Sequence, residues 1–389
     1  MTVAFYISGH GFGHASRQVE IINALVSRHP AVRVFIRSAA ARWLLERTLR
    51  VPFELDPRPC DTGIVQIDSL RLDARQSLLD ARDFYATLPA RADDEARLLR
   101  ERDTRLVIVD AAPLGCEAAA RAGIPSVVVS NFTWDWIYEE YAELLPLAPD
   151  LVPVIQRAYR QARAAWRLPI QGGFASFDAA WQADAPQERR VLDVPFVARH
   201  ADPSRSREEV LGRLSLPGDR RVALVSFGGY GAGRLALNRL DCADTWTVVL
   251  TGGAGERLDR GHLRIIADTD IYDAGLRYPD LVRASDVVVT KPGYGIVSEC
   301  VANGTAMVYT PRGRFAEYPV MLREMPRYLR CAPLDNAALL AGRWLAALDA
   351  AAGAPPPPEQ PATDGAEVVA DMIAACLRDA SSSPAPLRS

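Results

Sequence analysis

Two stretches of this 389-residue chain carry residue types suited to moving a proton and holding an anion. The first is Ser8-Gly9-His10-Gly11-Phe12-Gly13-His14-Ala15-Ser16-Arg17, which contains two of the five histidines and follows an apolar run at residues 3–7. Imidazole exchanges its proton near neutral pH and can act as a general base toward a hydroxyl. At a helix start, the positive end of the dipole favours its neutral form. The second stretch is Lys291-Pro292-Gly293-Tyr294-Gly295, followed by Ser298 and Glu299. Glycines ahead of a helix let backbone N–H groups close on a phosphate, and Lys291 adds charge. Glu299, four residues after Gly295 and on the same helix face, suits the two hydroxyls of a ribose or simply an ordinary helical glutamate.

Three further groups fall where ligands bind in open parallel sheets, at the carboxyl ends of strands. Gly228-Gly229-Tyr230-Gly231 follows an apolar run and could cradle a pyrophosphate; no Gly-Lys-Ser/Thr follows, so it is not a P-loop. Asp110 closes the apolar run at residues 106–109. Asn131, Trp134 and Asp135 follow another, and combine stacking with directional hydrogen bonds as a sugar or other amphipathic ligand requires. Asp61 and Asp68 flank an alternating segment and suit a loop beside the site or a plain surface.

These groups require strands followed by helices. Strand, glycine loop and helix are predicted over residues 3–26, a strand at 32–36, a helix at 39–49 and a long helix or helix pair over 77–102. A strand at 106–109, a helix at 113–122 capped by Gly123 and a strand at 125–129 follow, then a helix over 154–166. A helix capped by Ser204 opens a second series of such units, with strands at 222–227, 246–250, 263–266, 286–290 and 306–310. A proline run at 355–358 and a terminal helix at 364–377 close the pattern, with a frayed tail from residue 380. The fold class is α/β, two doubly wound Rossmann-like domains facing across a cleft: an acceptor-binding domain at 1–198, a donor-binding domain at 199–363, and a helix and tail at 364–389 packing back on the first.

Composition narrows the function. With 49% apolar residues, 24% charged and a net charge of -3, the chain reads as globular and lacks the basic field of a nucleic-acid binder. Six dispersed cysteines without CxxC spacing indicate reduced thiols in a cytoplasmic protein rather than a zinc site or disulfide framework. No targeting segment or membrane span is expected. A dinucleotide cofactor is disfavoured: the first loop spaces its glycines by two, and the second strand runs into Arg37 and Ser38 instead of an acid. Asp268-Thr269-Asp270 has the form of a metal-binding DxD, which is common by chance, so neither metal nor cofactor is expected.

The segment from Gly9 to Arg17 resembles the opening of the glycosyltransferase-like region of plant-type L-arabinokinases. Ile108-Val109-Asp110 with Pro113, Cys116-Glu117-Ala118-Ala119, the segment from Ser130 to Asp135, and Lys291-Pro292-Gly293-Tyr294-Gly295 through Glu299 extend the resemblance over nearly the whole chain. The kinase portion of those proteins has no counterpart. More distantly, Gly295, Ser298 and Glu299 resemble the donor site of MurG-like glycosyltransferases of the GT-B fold. The resemblance implies an inverting transferase acting without bound metal on a nucleotide diphosphate sugar, UDP-sugar favoured, and a small-molecule or glycan acceptor. It implies Glu299 on the ribose, Gly295 and Gly228 to Gly231 on the diphosphate, and His14 as base with Asp110 orienting it. His10 has no match in the MurG-like loop and leaves the base open between two histidines. A non-hydrolysing nucleotide-sugar epimerase, recruiting Asp61, Asp68 and Asp110, and a non-catalytic nucleotide-sugar-binding module are the alternatives.

Overall fold

The computed structural model describes residues 1–68, 70–177, 191–227, 235–251 and 258–382. The chain forms two compact units. One comprises Met1–Val65, Asp73–Val197 and the chain from Ala362 onward; the other comprises Gln66–Leu72 and Ala198–Pro361.

In the first unit the described residues build a seven-stranded parallel sheet: β1 (Thr2–Ile7), β2 (Arg33–Arg37), β3 (Phe53–Asp56), β4 (Thr104–Asp110), β5 (Ser126–Phe132), β6 (Ala164–Gly172) and β7 (Val191–Asp193), in the order β3-β2-β1-β4-β5-β6-β7. β1 and β5 are buried along their whole length, as their unbroken apolar and β-branched runs require of strands covered on both faces. The order reverses beside β1. The chain leaves β1 toward β2 on one side, while β4 lies on the other with Ile7 opposite Asp110. Loops after β1 and β4 therefore diverge, which opens a crevice at their carboxyl ends.

The second unit repeats the plan with β8 (Arg221–Val225), β9 (Trp246–Thr251), β10 (Leu258–Arg260), β11 (Leu263–Ile266), β12 (Val287–Thr290), β13 (Ala306–Tyr309) and β14 (Cys331–Pro333), in the order β10-β11-β9-β8-β12-β13-β14. Only the pairing of β10 with β11 is antiparallel among the described strands. Its switch point lies between β8 and β12. One core cluster is built on Val225, Trp246, Val248, Val289, Trp344 and Leu348.

Several elements differ from the sequence expectation for identifiable reasons. The run 77–102 takes the helix-pair form of its two readings, Ala74–Ala86 and Leu88–Glu101, broken at Thr87 with a proline in the first turn of the second; the elements that follow do differ. The expected helix at 154–166 is only Leu151–Tyr159; Ala164–Gly172 is β6, where Leu168 and Ile170 alternate inward, and the regular spacing of Arg157, Arg160 and Arg163 imitated a helical period. Ser206, not Ser204, caps the helix Arg207–Arg213, because its side chain accepts from the Glu209 N–H while the Ser204 hydroxyl donates to Asp202. The strand at 125–129 runs on to Phe132, so Ser130 and Asn131 are strand residues.

The helix Gly365–Ser382 belongs to the first unit and packs against the helix Phe12–Arg28, burying Val369, Ala370 and Ile373. It enters through a tight crossing: Gly365 N–H donates to Phe196 O at 3.0 Å, and a Cβ on Gly365 would stand 2.3 Å from the Pro195 carbonyl oxygen. Gly365→Ala is therefore expected to cost about 1–3 kcal/mol through a forced backbone shift. The urea midpoint followed by circular dichroism checks this, and an unchanged midpoint would contradict the crowding.

Candidate active site

The first helix begins after Gly11, whose φ of 78° is open to glycine without strain. His14, Arg17 and Gln18 stand three and four residues apart, on one face of that helix. That face meets Asp110, the last residue of β4. His14 Nδ1 lies 2.8 Å from Asp110 Oδ1; Arg17 Nε donates to Oδ2 at 2.7 Å and its Nη2 to Oδ1; Gln18 Nε2 donates to Oδ2 at 3.1 Å. Both carboxylate oxygens thus accept two bonds each. Arg17 also reaches β5, with Nη1 donating to Asn131 Oδ1 at 2.6 Å and Nη2 to Ser130 Oγ at 3.2 Å.

Asp110 is wholly buried, yet its carboxyl is held down to about 2: burial alone would push it up, and the charges and hydrogen bonds of Arg17 and His14 outweigh burial. Asp61 shows the opposite balance. Burial pushes its carboxyl up, with Ser8, His14 and the Trp134 indole only partly offsetting this. The two histidines are not equivalent. His10 accepts a long bond, 3.4 Å, from the Ile64 N–H at its Nδ1 and meets Trp134 edge-on, with ring centres 5.7 Å apart. His14 Nδ1 contacts a carboxylate, and the tautomer that donates there leaves Nε2 able to accept a proton.

In the second unit Lys291 follows β12, and the helix Tyr294–Asn303 starts behind Gly293. Lys291 Nζ donates to Gln66 Oε1 at 2.7 Å. Burial, with the neighbouring Arg312 cation, lowers its ammonium to about 8. Arg312 Nη1 donates to the Pro292 carbonyl at 3.1 Å, bringing a second cation to the same turn. Glu299 is buried and ion-paired with Arg199, whose guanidinium also lies over the Tyr278 ring at 5.5 Å. Ser298 Oγ is returned to its own helix, donating to Gly295 O at 2.9 Å.

Several sequence-predicted residues have other employment. Asn131, Trp134 and Asp135 were expected to meet an acceptor; all three are enclosed, and their polar groups serve the protein. Asn131 holds Arg17, the Trp134 indole donates to Asp61 Oδ2 at 2.9 Å, and Asp135 accepts from Ser176 Oγ at 2.7 Å. Asp61 sits with the His14 cluster as this strut's anchor. Asp68 is not part of the first unit: it belongs to the Gln66–Leu72 turn of the second, which is closed by a Gln66–Leu72 bridge, where its Oδ1 accepts from the Leu70 and Arg71 N–H groups. Asp270 accepts from the Ala267 N–H at 3.1 Å and so starts the helix Asp268–Asp273. Gly228, Gly229, Tyr230 and Gly231 lie outside the described residues. Arg17, Gln18 and Arg199 were missed. The i, i+3 spacing of His14 and Arg17 was the available signal for the first pair; Arg199, in a connecting stretch, gave none.

Two parallel sheets, each with its polar residues at the carboxyl ends beside a switch point, define an α/β protein with the fold of the GT-B glycosyltransferases. Solved structures of this fold match end to end: SnogD of Streptomyces nogalater (TM-score 0.53, 19% identity, 96% of this chain and 99% of that one), VinC in complex with dTDP (0.55, 16%, 98% and 100%) and S. aureus MnaA with UDP (0.60, 11%, 100% and 100%). The chain thus has the fold of the GT-B glycosyltransferases, and it is similar to the L-arabinokinase of Arabidopsis thaliana, 31% identical over 379 residues. That match covers 96% of this chain and 34% of the plant protein, so the chain spans about a third of that relative's length. An uncharacterized glycosyltransferase of Methanopyrus kandleri is 25% identical over 240 residues, 59% of this chain and 61% of that one. No family model matches the chain. Among the described residues no helix is long and apolar enough to cross a membrane.

The buried ion pair makes a stability prediction. Asp110→Ala strands the Arg17 cation away from water and is expected to cost about 3–5 kcal/mol. Chemical denaturation measures it; a loss under about 1 kcal/mol would mean that Arg17 finds another acceptor.

Proposed function

We propose that this chain is a cytoplasmic, inverting glycosyltransferase that moves a sugar from a nucleotide diphosphate sugar, UDP-sugar favoured, to a hydroxyl of a small-molecule or glycan acceptor. The observation that carries the reading is the His14–Asp110 couple at the first unit's switch point, with Nδ1 and Oδ1 2.8 Å apart. In this mechanism His14 Nε2 takes the acceptor proton as the acceptor oxygen attacks the anomeric carbon from the face opposite the diphosphate. The bond from that carbon to the diphosphate oxygen breaks, its electron pair leaves with the diphosphate, and configuration inverts. Asp110, held by Arg17 and Gln18, fixes the ring and stabilises the imidazolium that forms.

The second unit supplies the anion-binding end. Lys291 and the N-terminus of Tyr294–Asn303 meet the growing charge on the diphosphate, and Glu299, set by Arg199, takes the ribose hydroxyls. Gly295, at that helix start, brings backbone close to the phosphates. With the anion-binding end in the second unit, the domain at 1–198 is then the acceptor side.

Asp61 favours one alternative. A buried acid whose carboxyl is pushed up beside the His14–Asp110 couple is also what a nucleotide-sugar epimerase needs to pass a proton, and that enzyme converts the donor without any acceptor.

Calorimetric titration with UDP, GDP and dTDP tests the donor side: one nucleotide is expected to bind, and Glu299→Ala to weaken it at least about tenfold. His14→Ala should lower turnover by about 10²–10⁴ while nucleotide affinity stays unchanged. Loss of nucleotide affinity in that variant removes His14 from the role of base; product from donor alone selects the epimerase, and binding without turnover on any acceptor selects a binding module. Lys291 makes the donor site sensitive to alkali. Because its ammonium loses its proton near 8, nucleotide affinity should fall as pH rises from 7 to 9, and Lys291→Met should flatten that dependence.

A further inference from the structure

Lys291 is the only lysine among the 45 lysines and arginines of the chain. A guanidinium spreads its charge over a planar fork, whereas an ammonium is a compact charge on a flexible stem that must be aimed by something else. What aims this one lies far away in the sequence. Lys291 Nζ donates to Gln66 Oε1 at 2.7 Å, across 225 positions of chain. An ammonium carries donors only, so the glutamine presents its amide oxygen to it.

Gln66 stands at the base of a turn that is held in shape from within. Its backbone pairs with Leu72, the Ile67 N–H donates to Arg71 O at 2.9 Å, and the Asp68 carboxylate accepts from the Leu70 and Arg71 N–H groups and from Arg71 Nε. Leu70 packs against the core cluster of the second unit, and its carbonyl oxygen lies 3.6 Å from where a Cβ on Gly313 would stand, in the loop after β13. The turn therefore rests against the loops that follow β12 and β13, at the sheet edge where parallel strands present ligands. Leu70 is its apolar anchor. Gln66 adds a hydrogen bond to a charge, the stronger kind.

We propose that Gln66 is a positioning residue of the donor site: its amide oxygen aims the Lys291 ammonium at the phosphate-binding turn, so that a turn early in the sequence completes the anion site of the second unit. This role rests on the donor reading of Lys291. Arg312, from the loop after β13, and Asp68, from the turn itself, bring opposite charges to the ammonium, and Arg312 in turn lies 3.6 Å from Glu317. A neutral acceptor aims the ammonium without neutralising it, which a carboxylate in the same place would do.

The full chain is labelled with ¹³C-lysine, which gives a single lysine side chain to follow against pH, and nucleotide affinity is measured by calorimetric titration with UDP, GDP and dTDP. In the unsubstituted chain the ammonium midpoint is expected at about 8. Gln66→Glu should raise it by about one unit or more, tenfold in proton affinity, and Gln66→Leu should lower it. At pH 7 Gln66→Leu should weaken nucleotide binding at least about threefold, and in the Lys291→Met background it should cost nothing more, because a residue that acts through the lysine has no effect once the lysine is gone. An unmoved midpoint in folded Gln66→Glu overturns the proposal, and so do losses that simply add, the result expected of a glutamine that only fastens the turn. If the unsubstituted chain binds none of the three nucleotides, the donor reading and this role of Gln66 fall together. Nucleotide binding with an unmoved midpoint or additive losses ends the role of Gln66 alone.

Discussion

A carboxylate taken wholly out of water at the end of a parallel strand is the constraint on which the first unit turns. Left alone, Asp110 would cost several kcal/mol to ionise there. Arg17, Gln18 and His14 approach it from one helix face, and the same arginine goes on to fasten Asn131 and Ser130 of the next strand. One fork thus ties the helix after β1 to the ends of both β4 and β5. The aromatic wall depends on it as well: Phe132 meets His14 edge-on and packs at 5.0 Å against Trp134, which holds Asp61.

The second unit solves a related problem with a different pairing. Its buried acid, Glu299, is one helical turn past the glycine at the helix start, and its cation comes from a connecting strand of chain instead of from the helix. Asn303, a turn further on, donates to the backbone carbonyls of both Glu299 and Arg199 and so locks the partner in place. Each unit therefore carries a fixed ion pair at its switch point with a second basic group beside it, His14 in the first and Lys291 in the second.

The sequence disclosed most of the fold because parallel strands covered on both faces are written as unbroken apolar runs, and Val3 to Ile7, Leu106 to Val109 and Val287 to Val289 are such runs. β6 escaped because its alternation begins inside an arginine-rich stretch with helical spacing. Histidine, glycine and terminal acids were legible as site residues since each is a poor choice for a strand end unless it does something there. Arg17 was not, because an arginine in the first turns of a helix is usually solvated, and its burial at 3% exposure follows from where β4 and β5 end, a long-range fact. Asn131 and Trp134 were legible as polar and aromatic, but whether such residues face a ligand or brace the wall is settled by how far β5 extends.

The division of the chain between units has a consequence for biosynthesis. The path passes from one unit to the other after Val65, returns at Asp73, leaves again after Val197 and comes back at Ala362. Neither unit is a continuous stretch, so cutting the gene at residue 198 would deliver a first half without its closing helix and a second half without its Gln66–Leu72 turn. During translation the sheet of the first unit emerges early, but the helix Gly365–Ser382 that covers the helix Phe12–Arg28 leaves the ribosome only after the whole second unit. The face that includes Ile21, Ile22 and Leu25 is made long before its cover is, and a nascent chain of this design exposes it to passing chaperones for most of its synthesis.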